Sequence, residues 1–130
     1  MALGWVGDIE RETLENGNFR TVAFTGTHTQ LTLMRLGPGE DIGREMHDHL
    51  DQFLRIEQGS GRVELGATED AVDETHEVED DWAVIVPAGI WHNVVNMGEG
   101  ELKLYSLYSP PEHPPETVHR TKADAEAAEH

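Results

Sequence analysis

The sequence predicts a single all-β domain, built as a sandwich or barrel of short strands. A chain of 130 residues has the size of one domain and can bury a core of its own. Runs of β-forming residues recur between segments rich in glycine and proline, as in sandwiches and barrels. No segment before residue 110 offers the length and caps of an amphipathic helix, so helices are expected only at the chain ends.

Seven runs are predicted as strands, and each is followed or preceded by a turn-like break. The breaks read GPGEDIG, GSG, GATED, PAG and MGEG, which combine the residues that favour tight turns. The predicted strands, in chain order, are FRTVAF (19–24), TQLTLMRL (29–36), DQFLRIEQ (51–58), GRVEL (61–65), WAVIVP (82–87), WHNVVN (91–96) and ELKLYSLY (101–108).

The two ends of the chain differ from this central pattern. Residues 1–30 are predicted as N-terminal strands and an arm, 31–108 as the barrel core, and 109–130 as a proline-rich extension with a short helix, all in one domain. The segment PPEHPPE is expected to be extended, and Thr121 is expected to cap a short helix through KADAEAAEH.

Charge and composition restrict the classes of partner. The chain has 26 acidic and 9 basic residues, with a formal net charge of −17, so nucleic acid and anionic membranes are not expected as partners. High intracellular salt and an ordinary acidic bacterial protein explain this acidity equally well. No apolar run has the length of a membrane span and the start lacks a basic leader, which predicts a soluble cytoplasmic protein. Because cysteine is absent, any metal must be held by imidazole, carboxylate or amide groups.

The stretch GREMHDHLDQFLRIEQG, residues 43–59, concentrates polar groups ahead of an apolar strand. Residues two apart in a strand share a face, so Glu45 and His47 can point the same way. If Gln52 begins the next strand, it shares the inner face with Leu54 and Ile56, while Phe53, Arg55 and Glu57 face outward. The later stretch DDWAVIVPAGIWHNVVN adds His92 at the start of another strand.

These two stretches resemble the two conserved motifs of the cupins. The second cupin motif, G(x)5PxG(x)2H(x)3N, is matched by Pro87, Gly89, His92 and Asn96, and only its leading glycine is replaced, by Asp81. The resemblance covers roughly residues 31–108. It implies a double-stranded β-helix, or jelly-roll, barrel with a short C-terminal helix or extended tail.

The first cupin motif, G(x)5HxH(x)3–4E(x)6G, fits in one register with two ligand types exchanged. Starting at Gly39, every spacing holds through Glu45, His47, Gln52 and Gly59. The alternative register takes His47 and His49 as the HxH pair. It places Asp41 at the glycine position and leaves two residues before Gln52, so it breaks the spacing twice.

The resemblance therefore implies a metal site formed by Glu45, His47, Gln52 and His92, with His49 as a neighbour. The metal is a divalent ion, and zinc, manganese, iron, nickel and cobalt all accept these ligands. Glu45, His47 and His92 are the candidate catalytic residues. The alternative for Glu45 and His47 is a solvated acidic strand, and for Gln52 it is an amide bonded to backbone at the edge of the core.

Three functions follow from such a site. The first is an enzyme of isomerase or lyase type that acts on a small sugar-like or carbonyl compound. The second is a mononuclear non-haem iron dioxygenase, because two histidines and one carboxylate form the ligand set of such enzymes. The third is a non-catalytic ligand-binding cupin, since one fold hosts many functions.

Two expectations concern the remaining residues. His28, His76, His113, His119 and His130 are scattered singly and are expected at the surface. Phe53 and the aromatic residues of LKLYSLY offer outward apolar surface, which predicts a homodimer, as in similar small cupins.

Overall fold

Nine strands and two short helices make up the part of the chain that the structure describes, residues 3–128 of a computed structural model. The all-β prediction is confirmed, and all seven predicted strands form within one or two residues of the expected limits. The elements are α1 (Ile9–Glu15), β1 (Arg20–Thr25), β2 (Gln30–Leu36), β3 (Asp51–Gln58), β4 (Gly61–Gly66), β5 (Glu74–Val78), β6 (Ala83–Val86), β7 (Trp91–Asn96), β8 (Leu102–Ser109), β9 (Val118–His119) and α2 (Lys122–Ala128).

The strands form two antiparallel sheets that enclose the barrel interior. One sheet has the order β6-β3-β8-β2-β1-β9, and the other has the order β5-β4-β7. Strand β8 lies between β3 and β2, so chain-distant strands pair at the centre of the large sheet. This arrangement is the predicted jelly roll. Within residues 3–128, neither helix is long and apolar enough to cross a membrane.

The interior of the barrel has an apolar end and a polar end. At the apolar end, buried aliphatic side chains from both sheets pack together as the main core. At the polar end, the inward positions of β2, β3 and β8 are polar, and Gln30 and Gln52 both lie opposite Tyr108. The polar inward residues, each no more than 1% exposed, are Gln30, Thr32, Gln52, Ser106 and Tyr108. We call the space enclosed by these five residues the polar chamber, and it lies at the end of the barrel opposite the apolar core.

The segment 39–45 runs antiparallel to β7 and extends the small sheet on that side. Its backbone groups exchange hydrogen bonds with β7 at Asn96, Val94 and His92 in turn. At the end nearest the chamber, Glu45 and His92 bond reciprocally, with N···O distances of 3.0 and 2.9 Å. These bonds fix the first motif against the second.

All four glycine positions of the two motifs have positive φ angles. Gly39, Gly59 and Gly89 have φ values of 79°, 109° and 88°, and Asp81, which replaces the fourth glycine, has a φ of 73°. Glycine adopts this left-handed conformation without steric cost, and aspartate tolerates it better than most residues. Asp41, the glycine position of the alternative register, does not have a positive φ. The backbone therefore supports the register that starts at Gly39.

Helix α1 lies at one of the chain ends, where helices were expected, but the expectation of strands and an arm over residues 1–30, with no capped helix before residue 110, is wrong for this segment. Asp8 caps the helix by accepting a hydrogen bond from the backbone N of Arg11. The buried Lys103 of β8 donates to the carbonyls of Leu14 and Asn16 at the other end. A seven-residue helix gains its stability from such docking rather than from its own sequence pattern.

Two short strands were also missed, for a different reason. Strand β5, with the sequence ETHEV, is an exposed edge strand in which only Val78 is buried, so no apolar alternation marks it. Strand β9 has two residues and pairs with β1 only because the tail returns to the sheet. The expected cap of the last helix is confirmed, since Thr121 Oγ1 accepts from the N of Asp124 at 3.1 Å.

The predicted homodimer rests on outward aromatic side chains of β3 and β8, and this expectation is wrong for Tyr108, which points into the barrel and is 1% exposed. Phe53 and Tyr105 are partly buried, and their ring centres lie 6.2 Å apart. The homodimer itself stays a prediction.

The proline-rich tail is not simply extended but is pinned across the polar chamber by Gln30. The Oε1 atom of Gln30 accepts hydrogen bonds from the backbone N of Glu112 at 3.2 Å and of His113 at 2.9 Å. Its Nε2 donates to the His113 carbonyl at 2.7 Å. A turn follows, in which Thr117 donates to the Pro114 carbonyl. One buried side chain therefore sets the position of the tail.

Replacing Gln30 with methionine is expected to release the tail. Methionine fills similar space but leaves the amides of Glu112 and His113 without their acceptor, which costs about 1–3 kcal/mol of the free energy of unfolding. Hydrogen exchange at these two amides should become faster. The control is Gln58→Met at the exposed end of β3, which should change the stability by less than about 0.5 kcal/mol. Equal effects of the two substitutions would contradict the role assigned to Gln30.

Candidate metal centre

Glu45, His47 and His92 meet at the polar end of the barrel. One ligand atom from each lies within 4.8 Å of the other two. The Oε1 atom of Glu45 is 3.4 Å from the Nε2 atoms of both His47 and His92. Two ligands bound at about 2.1 Å to one tetrahedral ion lie about 3.4 Å apart, so this spacing suits a shared divalent ion.

These three side chains come from a strand, from a segment bridged to that strand, and from a stretch outside the strands. His92 begins β7 and Glu45 forms an isolated bridge with it. His47 lies outside the strands, where its carbonyl accepts a hydrogen bond from the N of Gly89 at 2.8 Å. The expectation that Glu45 and His47 share the face of one regular strand is therefore wrong, although their side chains do converge.

The two imidazoles present the same nitrogen to this point. Nδ1 of His47 is 2.7 Å from a carboxylate oxygen of Glu112, and Nδ1 of His92 is 3.1 Å from the carbonyl oxygen of Ile90. Because both neighbours are acceptors, each Nδ1 carries the proton in the neutral ring and each Nε2 carries a lone pair. Both Nε2 atoms are buried and have no hydrogen-bond partner.

Gln52 lies beside the two histidines, as its inward position on β3 predicts. It is 1% exposed, and a small cavity is lined by His47, Gln52 and His92 together with apolar neighbours. Its Nε2 lies 3.3 Å from Oγ of Ser106 and donates to it, while its Oε1 is buried without a partner. The amide thus leaves its oxygen, the atom that could bind a cation, unused.

Electrostatics keep the Glu45 carboxyl ionised. Burial alone would raise its pKa, but the hydrogen bonds and charge that His47 and His92 supply when their rings are protonated lower the pKa to about 2. For His47, burial lowers the pKa, and the carboxylates of Glu45 and Glu112 outweigh it, so the pKa is raised. The centre therefore attracts positive charge, whether a proton or a metal ion.

The residues present fit a divalent metal ion. The buried lone pairs of two Nε2 atoms and of the Gln52 Oε1 atom lack donors, and the ionised Glu45 carboxylate stands between the two rings. Unsatisfied buried acceptors are costly, and a cation would satisfy all of them. Neutral imidazoles, one carboxylate and one amide oxygen form a ligand set of intermediate hardness, which suits zinc, manganese, iron, nickel or cobalt.

His49, the histidine of the alternative register, does not join this group. Its side chain is 58% exposed and its Nδ1 pairs with Asp48 at 2.9 Å. His28 and His76 are exposed as expected, whereas His119 is partly buried and its Nδ1 lies 3.2 Å from Nη1 of Arg20. His130 lies outside the described residues.

The expectation that His113 lies at the surface is wrong. Its ring packs edge-on against Tyr108, with ring centres 5.1 Å apart, and its Nε2 is buried. Burial and the nearby Arg20 guanidinium lower its pKa to about 4, so it is neutral at pH 7.

Two residues of the site, Glu112 and Tyr108, were not predicted from the sequence. Glu112 lies in the proline-rich tail, and no local signal links it to His47. Tyr108 packs edge-on against His47 with ring centres 5.9 Å apart, and burial raises the pKa of its hydroxyl. Polar residues at inward positions of otherwise apolar strands were the available signal for Tyr108 and for Gln30.

Comparisons with known proteins identify the family of this chain. The sequence profile of a family described as the cupin domain matches residues 32–108. The Bacillus subtilis protein YrkC is 58% identical over 125 residues, which cover 96% of this chain and 67% of YrkC. Protein L612 of Acanthamoeba polyphaga mimivirus is 40% identical over 112 residues, covering 85% of this chain and 68% of L612.

A solved structure is also similar over nearly the whole chain. The crystal structure of BH2720 from Bacillus halodurans has 54% sequence identity and a TM-score of 0.94, and the match covers 95% of this chain and 93% of BH2720.

The contact between Glu112 and His47 is expected to strengthen metal binding, which a substitution can test. Glu112→Gln keeps an acceptor for Nδ1 but removes the negative charge that makes His47 a stronger ligand, so zinc affinity should fall about tenfold or more. Isothermal titration calorimetry with zinc measures this. Glu99→Gln, a loss of the same charge at an exposed turn, is the control and should leave affinity within about twofold. Unchanged affinity in Glu112→Gln would show that the tail carboxylate does not support the site.

Proposed function

Because the chain belongs to the cupin family, we propose that it is a divalent-metal-dependent enzyme that isomerises, or eliminates from, a small sugar-like or carbonyl compound. The observation that carries this proposal is the meeting of buried acceptor atoms with no donor among them: Nε2 of His47, Nε2 of His92 and Oε1 of Gln52, beside the Glu45 carboxylate. Such a group is stable with a cation and costly without one.

In this proposal Glu45, His47 and His92 hold the ion, and Gln52 adds a neutral oxygen. A bound divalent ion supplies polarisation of a carbonyl oxygen and stabilisation of an enediolate. Glu112 holds the His47 ring through Nδ1, and the Ile90 carbonyl does the same for His92. Apolar neighbours such as Leu50 and Val86 limit the access of water to the two imidazoles.

A non-haem iron dioxygenase is the second candidate. The specific observation in its favour is the ligand set itself, since two histidines and one carboxylate are the residues that hold iron in such oxygenases. The two candidates share every ligand and differ in whether oxygen is consumed.

Single substitutions of the three histidines test the metal site. His47→Ala and His92→Ala should each reduce the zinc or manganese retained after dialysis by about tenfold or more, because each removes a buried ligand. His49→Ala is the matched control, since it removes an exposed imidazole from the same stretch, and it should retain the metal. Elemental analysis of the dialysed variants gives the result. Equal loss in all three would favour the alternative register with His49 as a ligand.

The reaction class is tested on the metal-loaded protein with a panel of small hydroxycarbonyl compounds and aldoses. Proton NMR is expected to show conversion of at least one compound while an oxygen electrode shows no oxygen uptake. Conversion should be lost in His92→Ala and kept in His49→Ala. Oxygen uptake coupled to conversion of the iron-loaded protein would replace this proposal with the dioxygenase. Metal binding without any conversion would favour the non-catalytic alternative.

A further inference from the structure

A second cavity adjoins the metal centre and shares Glu45 with it. Its volume is about 300 Å³, and it lies between the segment 41–45, the start of β1 and helix α2. This volume is at the lower end of the range for ligand pockets, so it suits a small molecule. Three of the chain's nine basic residues line it, Arg20, Arg44 and Lys122. Three acidic residues, Asp41, Glu45 and Glu126, line it as well, so the question is which basic side chain lacks a carboxylate partner.

Arg20 is the residue that points to a ligand. It is 6% exposed, and its Nε is buried without a hydrogen-bond partner. Its guanidinium lies 3.2 Å from Nδ1 of His119 and 5.3 Å from the Phe19 ring, and it is also close to Tyr108 and His113. None of these groups carries a negative charge. Burying a guanidinium without a carboxylate is costly, because the charge loses its water and gains no opposite charge.

Within residues 3–128, none of the acidic residues that line the cavity forms an ion pair with Arg20. Lys122 forms an ion pair with Asp41, so its charge is already matched. Arg44 donates from Nε and Nη2 to backbone carbonyls of residues 68–71, which are neutral, and its Nη1 is buried without a partner. Arg20 therefore lines the cavity with a guanidinium that no carboxylate binds, whereas the Arg44 guanidinium is held by the carbonyls of residues 68–71.

We propose that this cavity binds the carboxylate of a small organic acid, with Arg20 as the donor. Guanidinium groups bind carboxylates through paired, charge-assisted hydrogen bonds. A doubly charged phosphate fits less well, because Asp41, Glu45 and Glu126 lie around the same cavity and would repel it more strongly. The anion site stands on Arg20 alone, whereas its role as the substrate site beside Glu45 rests on the proposed function.

An NMR titration with pyruvate tests the site, first on the zinc-free and then on the zinc-loaded protein. Pyruvamide, which is neutral and has nearly the same shape, is the matched ligand. Wild-type protein should bind pyruvate at least about tenfold more tightly than pyruvamide in the absence of zinc, since charge-assisted hydrogen bonds to Arg20 distinguish them. Arg20→Gln should lose about tenfold or more of the pyruvate affinity. Arg11→Gln removes the same charge from the exposed face of α1 and should change the affinity by less than about twofold.

Several outcomes would overturn the proposal: equal binding of pyruvate and pyruvamide, unchanged affinity in Arg20→Gln, or tighter binding of inorganic phosphate than of pyruvate. If Arg20→Gln does not fold, Arg20→Lys takes its place with the same expectation, because lysine keeps the charge but not the paired donors.

A crystal structure of the wild-type protein with pyruvate needs no variant. It should place the carboxylate within hydrogen-bond distance of Arg20, and its absence there would also overturn the proposal. Pyruvate binding to protein that takes up no zinc would refute the proposed function and leave the anion site standing.

Discussion

The backbone pairing of segment 39–45 with β7 is the constraint on which the rest of the site depends. The reciprocal hydrogen bonds between Glu45 and His92 place a carboxylate and an imidazole from chain-distant motifs side by side. The bond from the N of Gly89 to the His47 carbonyl continues the contact two residues further along the chain and brings in the second imidazole. Since the pairing is made by main-chain groups, it tolerates an exchange of ligand type, and glutamate can stand where the family has histidine.

The division of the barrel interior explains how a polar centre is compatible with a stable fold. Aliphatic side chains at one end supply the packed core, while Gln30, Gln52 and Tyr108 occupy the same level of the other end. The Gln30 amide is hydrogen-bonded to the tail, and the tail in turn places Glu112 next to His47. Gln52 leaves its oxygen unused. The two glutamines of the chamber thus differ in function: Gln30 holds the tail in place, and Gln52 faces the candidate metal site.

The jelly roll and all four candidate ligands could be predicted from the sequence, because strand alternation and motif spacing are local. Residues two apart share a face, which placed Gln52 inside, and the spacing from Gly39 separated Glu45 from His49. Helix α1 could not be predicted, since its docking depends on Lys103, far along the chain. Glu112 and Arg20 were missed for the same physical reason. Their importance comes from what the folded chain brings beside them, a histidine in one case and a cavity without a counter-charge in the other.

The most direct test of this account is an anomalous-scattering map from crystals of the zinc-loaded protein, with data collected at the zinc absorption edge. The expected result is a single peak within about 2–2.5 Å of a Glu45 carboxylate oxygen and of Nε2 of both His47 and His92, with Oε1 of Gln52 as the neutral fourth ligand. A map with no peak between these side chains, or with its peak beside His49 and Asp48, would contradict it.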